Sequence, residues 1–134
     1  MTMPNFLIIG AMRAGTTSLY HYLKQHPQVY MSPVKEPRFF ALEGEKPDPG
    51  RPTDERLMNH SITDIEAYRA LFQAVSKETA IGEASPLYLY SPKAPERIRH
   101  YIPDAKLIAV LRDPVERAYS HFLDIFMTGW KKPS

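Results

Sequence analysis

Apolar residues along the chain fall into short blocks whose spacing alternates between two periods. Phe6 to Ile9 is a continuous apolar run closed by Gly10, the pattern of a strand buried on both faces of a parallel sheet. From Thr16 to Gln25 the period lengthens. Leu19, Tyr22 and Leu23 fall on one side of a helix, and His26-Pro27 closes it, because proline disfavours helical geometry in the residue before it. Val29 to Met31 reads as a second short strand. Ile62, Ile65, Tyr68, Leu71, Phe72 and Val75 recur at helical spacing and predict an amphipathic helix from about Thr63 to Ser76.

Downstream, Ala80 to Glu83 predicts a strand, followed by a proline-marked loop and a short helix with Pro95 in its first turn, where its missing N–H costs nothing. Lys106 to Leu111 predicts another buried strand, turning at Arg112-Asp113 into a helix that begins at Pro114. Asp113 as N-cap and Glu116 at the third helical position form a capping-box variant, with Val115, Tyr119, Phe122 and Phe126 as the apolar side. Strands alternating with helices predict a P-loop-like three-layer α/β domain, a central and mainly parallel sheet flanked by helices. Ligands of such sheets bind beyond the carboxyl ends of the strands, where both Gly10 to Thr17 and Arg112 to Pro114 fall.

Composition narrows this picture. With 134 residues, 43% hydrophobic and 24% charged, the chain fits one soluble domain with a modest core. A net charge of +2 leaves room for an anionic ligand, but Lys and Arg are scattered without a basic block, which argues against nucleic acid. The absence of cysteine excludes disulfides and thiolate metal sites and is compatible with a reducing cytoplasm. The N-terminal segment has no basic region, and its apolar run is too short for a secretory signal or a membrane span, so a cytoplasmic location is expected. Prolines cluster between Gly44 and Glu55, which predicts a surface loop.

The candidate chemistry begins in "GAMRAGTTS". Gly10 and Gly15 have the spacing of G-x-x-x-x-G between a strand and a helix, a turn in which backbone N–H groups converge on an anion. The following residues are Thr16 and Thr17 and not Lys-Ser/Thr, and Arg13 is the loop's cation, so an NTPase reading lacks its lysine clamp. An ordinary βα turn in which the glycines serve only geometry is the alternative. Arg112, with Arg117 and Ser120 in the following helix, offers a guanidinium and a hydroxyl to a second phosphate; its alternative is pairing with Asp113 or Glu116. Asp113 also resembles a Mg²⁺-binding aspartate, but its capping position accounts for it. The five histidines show no metal spacing.

Three stretches in order, "FLIIGAMRAGTTSLYHYLKQHPQVYMSPVKEPRFF", "GEASPLYLYSPKAPERI" and "LIAVLRDPVERAYSHF", resemble the successive motifs of sulfotransferases that use 3′-phosphoadenosine 5′-phosphosulfate, in their bacterial and heparan-sulfate-type branch. The resemblance implies that Arg13, Ala14, Gly15, Thr16, Thr17 and Ser18 hold the 5′-phosphosulfate, and that Arg112 and Ser120 bind the 3′-phosphate. It implies Glu36 as the general base on the acceptor hydroxyl, Arg13 as the cation assisting the leaving group, and no metal; from the residues alone, the alternative for Glu36 is a solvated loop carboxylate paired with Lys35 or Arg38. Glu83, Ser85 and Tyr88 fall where the family shapes the acceptor cleft, and the resemblance implies a small-molecule or carbohydrate hydroxyl as acceptor.

Three positions depart from the branch: Arg13 and Ala84 stand where it usually has lysine, and Arg38 where heparan-type relatives often have histidine. The missing lysine at Ala84 lowers the expectation of an acidic polysaccharide acceptor. Family members are commonly longer, so residues 1–134 correspond to the N-terminal part of the family domain. Weak donor binding and poor turnover are expected unless a second chain completes the domain. A P-loop kinase or NTPase, or a truncated non-catalytic nucleotide-binding module, are the competing readings.

Overall fold

A computed structural model describes residues 2–46, 50, 57–113 and 115. The helix expected from Pro114, with Arg117, Tyr119, Ser120, Phe122 and Phe126, and most of the proline-rich loop lie outside the described residues. In chain order the elements are β1 (Phe6–Gly10), α1 (Thr16–Lys24), β2 (Val29–Met31), α2 (Phe39–Leu42), α3 (Ile65–Ala70), β3 (Ala80–Ala84), a 3₁₀ helix (Pro86–Tyr90), α4 (Ala94–Tyr101) and β4 (Lys106–Ala109). The strands form a parallel sheet in the order β2-β3-β1-β4, with Phe6 opposite Gly82, Leu7 opposite Glu83 and Ile8 opposite Ala84. This is the α/β layering that the alternation of periods predicts.

Strand alternation sends successive side chains of β1 to opposite faces, and both faces are covered. Leu7 packs with Phe39, Phe40, Tyr68, Phe72 and Ile98, whereas Phe6 and Ile8 pack with Tyr20, Met31 and Ala84. The first face is built largely of rings. Phe39 stacks on Tyr68 at 4.6 Å between centroids, and Phe40 meets Tyr88 edge-on at 5.6 Å, the offset and T-shaped geometries that aromatic quadrupoles favour.

Four details differ from the periodicity reading. The buried side of α1 is Thr16 and Tyr20, flanked by half-buried Leu19 and Leu23, while Tyr22 is 73% exposed. Tyr20 takes the inward place because its hydroxyl donates to the Ser32 carbonyl at 2.6 Å. The helix expected over Thr63 to Ser76 is regular only in α3. It starts at Asp64, whose side chain accepts from the Ala67 N–H, and continues past Ala70 as i→i−3 turns. Those turns keep the stripe in place: Tyr68 and Phe72 are fully buried. The proline-marked loop after β3 winds into the 3₁₀ helix. Finally, the strand expected to be buried from Lys106 to Leu111 stops at Ala109 and is exposed, with Leu107 at 52%, because it forms an edge of the described sheet.

Candidate functional site: a cationic cavity at the strand ends

β1 ends at Gly10, and the chain enters α1 through Arg13 at φ 60° and Gly15 at φ 88°. Gly15 is the N-cap of α1, with no side-chain cap hydrogen bond, so the first-turn N–H groups present a helix N-terminus to an anion. A left-handed backbone at this position is where glycine carries no steric cost. Arg112, just beyond β4, reaches across to this loop and its Nη1 donates to the Arg13 carbonyl at 3.0 Å.

Together these residues wall a cavity of about 560 Å³. Thr16 and Thr17 line one side, and four cations surround it: Arg13, Lys35, Arg38 and Arg112. Glu36 is the carboxylate in the lining, and Met12, Leu57, Pro86 and Leu87 give it an apolar flank. Among the described residues, four cations against one carboxylate make the cavity suited to an anion, and its volume is that of a small-molecule site.

Glu36 sits on a constrained turn. Its φ is 54° and that of Arg38 is 59°, values that non-glycine residues adopt only where surrounding contacts enforce them. The contacts are present: Pro37 is fully buried, its carbonyl accepts from the Ile62 N–H at 2.8 Å, and the Arg38 N–H donates to Ser85 Oγ at 3.1 Å. The Arg38 guanidinium donates through Nη2 to Glu36 Oε2 at 2.6 Å and through Nη1 to Ser61 Oγ at 3.3 Å. The partner of Glu36 is thus Arg38, in a half-buried pair.

Beneath this turn lies a second carboxylate. Glu83 is fully buried and accepts from the Tyr88 hydroxyl at 2.5 Å, the Ser85 hydroxyl at 2.7 Å and the Tyr68 hydroxyl at 2.9 Å. Desolvation pushes its carboxyl up from 4.5 to about 7; the three hydrogen bonds oppose this and the charge of Glu36 adds to it. Burial and the neighbouring carboxylate hold Tyr68 and Tyr88 well above the ordinary phenol value, so both remain donors at neutral pH.

The structure therefore brings together Arg13, Gly15, Thr16, Thr17, Glu36 and Arg112 of the sequence-predicted residues. Ala14 is buried behind the loop, and Ser18 is exposed on α1 outside the cavity lining. Ser120 lies outside the described residues. Glu83, Ser85 and Tyr88, expected to shape the acceptor cleft, are buried and absent from the lining of this cavity. Ala84 is also buried, against Ile8 and Tyr20. Lys35 and Arg38, which the sequence offers only as pairing partners of Glu36, and Leu57 also line the cavity; the flanking of Glu36 by two cations in "VKEPRFF" is the sequence signal for the first two. Among the described residues no group of acidic and histidine side chains is arranged to hold a metal, and no helix is long and apolar enough to cross a membrane.

Comparison with known proteins fits this geometry. A family profile described as "Sulfotransferase family" matches residues 4–134. The membrane-associated sulfotransferase kil1 of Dictyostelium discoideum is 34% identical over 135 residues, 98% of this chain and 25% of that protein. The mouse bifunctional heparan sulfate N-deacetylase/N-sulfotransferase 4 is 35% identical over 90% of this chain and 13% of its own length. A sulfotransferase from Alicyclobacillus acidocaldarius, known from its crystal structure, matches with a TM-score of 0.87 and 40% identity over 100% of this chain and 54% of that one. The chain spans about half the length of that solved relative and a quarter or less of these two curated ones. A profile match over residues 4–134 and a shared fold place this chain in the sulfotransferase family.

Proposed function

We propose that the cavity binds 3′-phosphoadenosine 5′-phosphosulfate and that the protein transfers its sulfonate to an acceptor hydroxyl. The observation that carries this reading is the single cavity in which an uncapped helix N-terminus, Thr16 and Thr17, four cations and Glu36 converge. The donor set fits: amides, hydroxyls and guanidinium groups match a phosphosulfate and a ribose phosphate, which need no lysine clamp for a magnesium triphosphate. The donor, when bound, supplies an activated sulfonate on a phosphate leaving group.

Each residue then has a task. Gly15, Thr16, Thr17 and the loop amides seat the 5′ end, with Ala14 packing behind them, while Ser18 lies on the exposed side of the helix outside the lining. Arg13 stabilises charge growing on the leaving oxygen; its guanidinium holds that charge electrostatically and does not give up a proton. Arg112, with Ser120, takes the 3′-phosphate, and its hydrogen bond to the Arg13 carbonyl ties that subsite to the 5′ loop. Glu36 removes the acceptor proton as its oxygen attacks sulfur in line, and Arg38 sets the direction of that carboxylate. The acceptor is a small-molecule or carbohydrate hydroxyl. Residues 1–134 act as the N-terminal part of the catalytic domain, in the cytoplasm.

Membership of the sulfotransferase family favours this over a kinase or NTPase. Titration of the nucleotide product 3′-phosphoadenosine 5′-phosphate against ATP, with and without Mg²⁺, checks it. Tighter, metal-independent binding of the 3′-phosphate nucleotide is expected, and a preference for Mg-ATP would refute it. With labelled donor and a panel of alcohols, phenols and sugars, Glu36→Gln should lose about 100-fold or more in kcat while nucleotide affinity is kept. Unchanged turnover would remove Glu36 from the mechanism.

A further inference from the structure

Glu83 is a fully buried carboxylate to which the proposed chemistry gives no task. Burying a carboxylate this completely is costly unless every lone pair is used, and here three hydroxyls are spent on it. Packing alone does not explain that choice, because an apolar residue beside Leu7, with which Glu83 pairs in the sheet, would extend the ring cluster at lower cost.

The connections of Glu83 lead to the candidate base. Because the Ser85 hydroxyl donates its hydrogen to Glu83 Oε1, its lone pair is turned toward the Arg38 N–H, which donates to it at 3.1 Å. Arg38 is the left-handed residue that opens α2, and its guanidinium grips Glu36 Oε2. Tyr88 closes the other side: its hydroxyl donates to Glu83 Oε2 and accepts from the Phe40 N–H at 3.4 Å, within α2 itself. Tyr68 on α3 supplies the third donor. Two positive-φ residues, Glu36 and Arg38, persist where the surroundings over-determine them, and this network centred on Glu83 of β3 is part of those surroundings.

We propose that Glu83 is a positioning residue of the site, fixing the Arg38 backbone through the Ser85 hydroxyl and thereby the direction in which the Glu36 carboxylate faces the cavity. It touches neither donor nor acceptor. The catalytic part of the proposal rests on the reading of Glu36 as the base.

Glu83→Gln is the first test: of its two terminal atoms only the carbonyl oxygen accepts, so it cannot receive Ser85 on one side and the two tyrosines on the other, and at least one tie to the Arg38–Phe40 turn is lost. In the whole chain the expected result is a kcat lower by about ten-fold or more, with KM for the donor and nucleotide affinity within about two-fold. The Arg38 amide should exchange with deuterium about ten-fold faster, while the slowest core amides of β1 are unaffected. Ser85→Ala, which leaves both tyrosines on Glu83, should reproduce both effects and stands in if Glu83→Gln does not fold. Unchanged kcat and Arg38 exchange in these variants would overturn the proposal. So would a parallel fall in kcat, nucleotide affinity and unfolding temperature, the signature of a merely structural carboxylate. Glu36→Gln is run beside them. Full turnover there sinks the base, and with it the catalytic consequence of Glu83, whereas unaltered Arg38 exchange in the Glu83 and Ser85 variants sinks the positioning alone.

Discussion

Arg112 shows how much a single side chain can be asked to do at this site. It lines the cavity and donates to the Arg13 carbonyl, so its removal takes away both a charge and a brace on the phosphate loop. Arg112→Ala is expected to lower affinity for the 3′-phosphate nucleotide by about ten-fold or more, a charge-assisted hydrogen bond being worth roughly 1.5 to 3 kcal/mol, while affinity for the nucleotide lacking that phosphate falls less. Isothermal titration of the two nucleotides decides it; equal losses would assign Arg112 to loop bracing alone. Glu83 makes a prediction about pH. Its folded-state value is raised, mainly by desolvation, from 4.5 to about 7, so between those limits the folded protein keeps a proton that the unfolded chain has released. Stability from this group is therefore complete below pH 4.5 and declines as pH rises through about 7, by about 3 kcal/mol in all at 1.36 kcal/mol per unit. Glu83→Gln cannot titrate, and denaturant melts across that range should show a flatter pH dependence than the parent; an identical slope would contradict the assignment. At this scale the sequence made Arg13, Glu36 and Arg112 legible because each sits in a motif. It left Arg38 and Glu83 unread as a linked pair because their connection passes through Ser85, 47 residues from Arg38.

Among the elements, two glycines separate two physical causes. Gly82 lies on β3 opposite Phe6, and a Cβ built there would meet the Phe6 ring at 2.3 Å, so Gly82→Ala forces the ring out of its place. A loss of about 1 to 3 kcal/mol is expected, as for overpacking a filled core. Gly15 has nothing within 4 Å of such a Cβ, yet its φ of 88° makes Gly15→Ala cost on the order of 1 kcal/mol through backbone strain alone. Thermal melts of the two variants should rank them in that order, and the reverse order would mean that the Phe6 ring yields without penalty. The N-cap of α3 offers a third case: Asp64→Ala should cost about 1 kcal/mol by leaving the Ala67 N–H without its acceptor. The strands, α1 and α4 were readable from hydrophobic period and proline placement. The short α2 was not, because four residues entered through a left-handed Arg38 carry too little period to register.

For the molecule as a whole, the four cations and one carboxylate that line the cavity among the described residues link folding to ligand and to salt. A nucleotide bound only by the folded state should stabilise it by about 2.7 kcal/mol at a hundred times its Kd. The gain should shrink as ionic strength rises, since about 8 Å of Debye length at physiological salt already screens exposed charge. Differential scanning calorimetry with the 3′-phosphate nucleotide at low and high salt tests both parts, and a salt-independent shift would argue for binding through the apolar flank of Met12, Leu57, Pro86 and Leu87.

What the sequence determined by itself is the set of local and ordered features. Hydrophobic period fixes which segments are strands and helices, glycine and proline fix where the chain turns, and three motifs in order point to the family, because each depends on residues near one another in the chain. What only the tertiary structure decided is which distant residues meet. The sheet order β2-β3-β1-β4 puts the turn after β2 above the end of β3, and so sets Glu36 and Arg38 over Ser85 and the buried Glu83. The same order seats Arg112 beside the loop after β1. Burial and the raised carboxyl of Glu83 follow from those juxtapositions, which have no counterpart in chain spacing.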